Sequence, residues 1–148
     1  MISVFLLAVA MVVPSAGEED MIAFDDNYRS TSTTSDKTFL FDIKKKRFYV
    51  SEETVISGVS GTIVGYFHGV GTWKFDPKSR QFIANVTGVE SITSSRGNHR
   101  YTSKKEFKFR QPDGGMYLVT SGKDRLIYDS DIDPDEFVRD VKKAAEAK

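Results

Sequence analysis

The sequence predicts a mainly β domain, an antiparallel roll or barrel of seven to eight strands with one C-terminal amphipathic helix. Three observations carry this expectation. Short apolar runs with a period of two begin near Thr38, turn signals recur at regular spacing, and the period becomes helical after Asp133.

The chain opens with an apolar run, Ile2 to Val13, followed by Pro14-Ser15-Ala16-Gly17. This has the shape of a secretory leader, although no Lys or Arg precedes the run. Residues 1–17 are read as a signal peptide or N-terminal anchor, which implies a secreted or extracytoplasmic protein. A membrane-spanning helix needs about 20 apolar residues, more than the run supplies. Residues 18–38 combine Glu18, Glu19, Asp20, Asp25 and Asp26 with a Ser/Thr tract. That composition predicts a flexible arm holding at most one short strand at Met21 to Phe24. Residues 39–148 form a single β-rich domain, because the length left after the leader suits one core.

Within that domain Phe39, Phe41 and Ile43 alternate, as do Phe48 and Val50 after the basic tetrad Lys44-Lys45-Lys46-Arg47. In Gly61 to Phe75 one parity carries Ile63, Gly65, Phe67, Gly69, Gly71, Trp73 and Phe75. Glycines among large rings predict a strongly coiled strand, or two strands bent near Gly69-Val70-Gly71. Asp76 to Arg80 reads as a turn, with Pro77 presetting its backbone angle. Phe82, Ala84 and Val86 share the face of the next strand, which Gly88 is expected to interrupt. Ser94 to Asn98 turns the chain into a strand whose one parity holds Tyr101, Ser103, Lys105, Phe107 and Phe109. Pro112 to Gly115 is a further turn, and Met116 to Thr120 with Arg125 to Tyr128 reads as a closing hairpin. Asp133-Pro134-Asp135-Glu136 then supplies an N-cap, a proline at the first helical position and an acid three residues after the cap. The helix is expected over 134–147, with Phe137, Val141, Ala144 and Ala145 on its apolar stripe.

The segments Val89 to Ile92, Gly115 to Val119, Arg125 to Tyr128 and Asp133 to Val141 resemble the bacterial PH-like domains. The resemblance covers about the C-terminal 60 residues. It implies a non-catalytic binding module that contacts a protein or an anionic surface, with Lys44, Lys45, Lys46 and Arg47 in the loop that would meet anionic headgroups. The Gly61 to Gly71 segment departs from that pattern. The alternative architecture is an eight-stranded ligand-binding barrel of the lipocalin or allene-oxide-cyclase-like kind. It would carry a hydrophobic small molecule against Phe67, Trp73 and Phe75, because glycines opposite large rings can leave room for a guest. The same glycines can instead be filled by rings from neighbouring strands.

Other chemistries find little support. The formal net charge is zero and there is no cysteine, so neither long-range steering toward nucleic acid nor disulfide stapling is expected. His68 and His99 lack partners at zinc-ligand spacing. Ser57-Gly58-Val59-Ser60-Gly61 is not a G-x-S-x-G elbow. Asp129, Asp131 and Asp133 alternate as in a calcium loop, but Pro134 stands where such a loop needs glycine, and helix capping explains these acids without a metal. No catalytic residue, metal or cofactor is expected. Asn85-Val86-Thr87 is a glycosylation sequon.

Overall fold

A computed structural model describes residues 21–111, 118–120 and 126–146. The expected leader and the expected turns at 112–115 and 121–124 therefore lie outside the described residues. The strands are β1 (Met21–Arg29), β2 (Thr33–Asp42), β3 (Arg47–Gly58), β4 (Gly61–Asp76), β5 (Gln81–Ser94), β6 (Gly97–Arg110), β7 (Val119–Thr120) and β8 (Ile127–Tyr128); helix α1 spans Pro134–Glu146. The strands form one antiparallel sheet in the order β7-β6-β5-β4-β3-β2-β1-β8. The sheet curls into a roll, because its two ends meet: the Leu126 amide donates to the Leu118 carbonyl at 2.9 Å.

Strand alternation sorts the side chains into two cores. The inward face carries Ile22, Phe24, Phe39, Phe41, Phe48, Val50, Phe67, Trp73, Phe82 and Phe109, all buried. Phe39 of β2 meets Phe109 of β6 with ring centroids 4.9 Å apart. Those strands are four places apart in the sheet, so the contact crosses the interior. The outward face of β1 to β3 carries Ala23, Leu40 and Tyr49, and these are covered by Val141 of α1 with Phe137, Val138 and Ile132 beside it. The helix thus docks on the outside of the roll. Its start is capped by Asp133, whose Oδ1 accepts from the amides of Asp135 (3.1 Å) and Glu136 (3.4 Å), satisfying donors that the first turn leaves free.

Two expectations are corrected. The expected flexible arm, 18–38, contains β1 and most of β2; only residues 18–20 fall outside the described structure. The polar tract is held by full antiparallel pairing with β3, from Thr33↔Ile56 to Thr38↔Ser51, and Thr38 Oγ1 donates to Asp25 Oδ1 at 2.9 Å. A low-hydrophobicity strand is stable when its neighbours supply the ladder and its threonines suit the pleat. Gly88 does not interrupt its strand either, and β4 runs unbroken through Gly69 and Gly71. The glycines mark close approach between β4 and β5. A Cβ on Gly71 would lie 1.8 Å from the Asn85 carbonyl oxygen, and one on Gly88 would lie 2.1 Å from the His68 carbonyl oxygen.

Candidate functional site

In an antiparallel meander alternate turns collect at opposite ends. Turns β1–β2, β3–β4 and β5–β6 share one end, where the Ser57 amide donates to the Ser32 carbonyl at 2.7 Å. Turns β2–β3 and β4–β5 share the other. At that second end the interior is filled by packed rings: Phe41 and Phe48 lie 5.1 Å apart, Phe41 and Trp73 5.8 Å, and Phe75 and Phe82 4.7 Å.

The first end holds a cavity of about 170 Å³, lined by Glu52, Thr54 and Ile56 of β3, Ile63, Gly65, Tyr66 and Phe67 of β4, and Glu90 and Ile92 of β5. Phe67, only 1% exposed, is its floor and belongs also to the aromatic core below. Most of these residues continue the inward parity of their strands, so the cavity is the upper part of the interior. The carboxylates enter it through the register. Asp26, Lys37, Glu52, Phe67, Glu90 and Tyr101 are successive partners across β1 to β6, and alternation turns them inward. Lys105 of β6 reaches into this band. Its Nζ stands 3.1 Å from Glu90 Oε1 and 3.7 Å from Glu52 Oε1, and 4.2 Å from the Phe67 ring centroid. Tyr101 hydrogen-bonds the Glu90 carboxylate, which holds the phenol above its usual pKa. The rim is apolar: Ile56, Val59, Ile63, Tyr66 and Tyr101 are exposed there.

The seven residues singled out from the sequence for binding are divided between the two ends. Phe67 meets the cavity. Trp73 is buried in the aromatic core and Phe75 packs against it; the Trp73 indole N–H donates to the Asp42 carbonyl at 3.2 Å. Space beside Gly69 is taken up internally, since a Cβ there would meet Val86 Cγ1 at 2.3 Å and the Phe67 ring at 2.9 Å, whereas Gly65 borders the cavity. The basic tetrad lies at the far end, with Lys44, Lys45 and Lys46 in the β2–β3 turn and Arg47 opening β3. Lys44, Lys45 and Arg47 are exposed. Lys46 adopts a positive φ of 57° and lays its ammonium 4.4 Å over the Trp73 ring, where burial lowers its pKa.

Sequence reasoning did not single out Glu52 or Glu90, and it set Lys105 on the parity of Phe107 and Phe109 without joining it to them. Their signal was parity: each shares the period-two face of buried aromatics on its own strand. Read locally, a charged residue in such a strand looks solvent-facing.

A second carboxyl pair lies on the outer face. Asp25 of β1 and Asp129, just after β8, interact, and the Asp25 pKa is raised to about 6. Desolvation by burial is the largest cause, and the hydrogen bond and like charge of Asp129 add to it. Asp129 Oδ1 also accepts from the Asp131 amide at 3.0 Å, so Asp129 and Asp133 serve turn and cap. Among the described residues no group of three metal-ligating side chains forms. His68, half-buried on the outward parity of β4, has its pKa lowered by desolvation. Asn85 of the sequon is exposed on β5.

Comparison with protein-family models, curated proteins and solved structures finds no match to this chain.

Proposed function

We propose that this protein is a non-catalytic binding module that holds a small, largely apolar molecule in the open end of its β-roll. The observation that carries the reading is the cavity walled by β3, β4 and β5, with an aromatic floor and isoleucines at its mouth. Concave, mainly apolar sites with a few convergent polar groups are the usual form of small-molecule sites. At about 170 Å³ the space is close to an engineered cavity of ~150 Å³ that takes benzene. The guest is therefore small. The apolar run Ile2 to Val13 supports a role outside the cytosol, and N-terminal sequencing of the protein from its source tests this; a chain still beginning at Met1 argues against cleavage.

Native mass spectrometry of protein from its natural source, compared with Gly65→Val, tests the cavity. A Cβ at Gly65 meets nothing nearer than the Thr54 carbonyl oxygen at 4.0 Å, so valine fits the backbone and intrudes on the cavity. Cargo carried by the natural chain and lost in the variant supports the reading. Equal loading of both chains would place the ligand elsewhere.

The exposed Lys44, Lys45 and Arg47 favour a second reading, contact of the far end with an anionic surface, in keeping with the PH-like resemblance. Co-sedimentation with vesicles rich in acidic lipid at low salt tests it; no binding there removes it.

A further inference from the structure

The wall of the cavity is electrically one-sided. Glu52 and Glu90 line it, and no basic side chain does. The two carboxylates also differ in how well they are satisfied. Glu90 has Lys105 at 3.1 Å and the Tyr101 hydroxyl. The Glu52 side chain is only 11% exposed, and among the described residues its charged partner is Lys105 at 3.7 Å, beyond hydrogen-bond distance. No other described donor reaches it. A carboxylate has about four acceptor sites, so Glu52 keeps acceptor capacity that Lys105 does not fill.

We propose that the cavity binds a small organic amine, whose ammonium group donates to Glu52 while its apolar body rests against Phe67, Ile56, Ile63 and Ile92. This rests on the reading of the cavity as a small-molecule site. Lys105 displays the recognition chemistry in place: its ammonium lies between the two carboxylates and 4.2 Å from the Phe67 ring centroid, an arrangement that stabilises cations. An anionic guest would meet two carboxylates that share a single ammonium, that of Lys105. A neutral guest would leave Glu52 and Glu90 with Lys105 alone between them. The volume limits the body of the amine to about one ring. Lys105, tethered beside the cavity, competes with the guest for the same carboxylates.

The test is isothermal titration of the full chain, near neutral pH and at low salt, with 2-phenylethylamine, 2-phenylethanol and phenylacetate. A charge-assisted hydrogen bond exceeds a neutral one enough that the amine should bind at least about tenfold more tightly than the alcohol, with phenylacetate weakest. Glu52→Gln should erase the advantage of the amine over the alcohol. Lys105→Met should strengthen amine binding. If the alcohol or phenylacetate binds as well as the amine, or Glu52→Gln leaves the preference intact, the amine proposal is overturned while the small-molecule reading stands. If none of the three binds, both fall. Should Glu52→Gln not fold, the comparison of amine with alcohol on the unaltered chain still decides.

Discussion

The backbone amide of Leu126 donates to the carbonyl of Leu118 at 2.9 Å, and this bond joins the two ends of an eight-stranded sheet. Both side chains are 3% exposed and belong to the same core as Phe24 and Phe109. Shared packing of these leucines thus helps to close the roll, and among the described residues β7 and β8 each contribute two ladder residues. Leu126→Ala should cost about 2–5 kcal/mol, the range for deleting a buried leucine side chain. Urea denaturation measures it. Hydrogen exchange should also accelerate first in β1 and β6, which border the seam; uniform acceleration throughout the sheet would mean that closure is not local.

Asp25 makes stability depend on pH. Its folded pKa, about 6, lies above the 3.8 of the free side chain. Below about 3.8 both the folded and unfolded states carry the proton. Between the two values the folded state binds more protons, so stability falls as pH rises, and the loss is complete above about 6. Asp25→Asn can keep the Thr38 and Asp129 hydrogen bonds without a charge. The variant should melt higher than the natural chain at pH 7 and show a flatter profile between pH 4 and 6. Solvent screening at this partly exposed group keeps the gain modest. An unchanged pH profile would show that the Asp25–Asp129 contact does not persist in solution.

The glycines of β4 separate stability from binding. Gly71→Ala places a methyl group 1.8 Å from the Asn85 carbonyl oxygen, which forces the β4 and β5 backbones apart. It should lower the melting temperature sharply, with a loss of stability well over the ~1 kcal/mol that a favourable Gly→Ala change gains. Gly65→Ala meets no such obstacle and should be close to neutral. Thermal melts of the two variants compare them directly, and equal melting temperatures would show that the strands can part at little cost.

Asp133→Ala removes the acceptor for the Asp135 and Glu136 amides. The expected loss is about 0.5–2 kcal/mol. Because α1 covers Ala23, Leu40 and Tyr49, the same variant should make Tyr49 more accessible to a fluorescence quencher. Chemical denaturation gives the first quantity and quenching the second.

Much of the fold is legible in local pattern. Phe39 and Phe41, Phe48 and Val50, and Phe82 with Ala84 and Val86 each sit on one face because a strand repeats every two residues, and all of them are buried. Asp133 to Glu136 start the helix as a capping sequence should. The polar hairpin at 21–42 is less legible, because its stability comes from β3 and β8 beside it and from the core beneath Ile22 and Phe24. The cavity is less legible still. Glu52 and Glu90 are 38 positions apart in sequence, and only the pairing of both with Phe67 brings them to one wall.

By itself, then, the sequence determined what depends on neighbours along the chain: the strand period, the turns among the described residues, the capped C-terminal helix and the aromatic supply of the core. The tertiary structure decided what depends on register and closure. It filled the space beside Gly69 with Val86 and Phe67, sent the basic tetrad to one end of the roll and the cavity to the other, and turned Glu52, Glu90 and Lys105 inward. The physical reason is that period-two alternation specifies two faces without saying which is enclosed. That choice is made collectively, when the phenylalanines of six strands converge on one interior and carry every charged residue of the same parity inside with them.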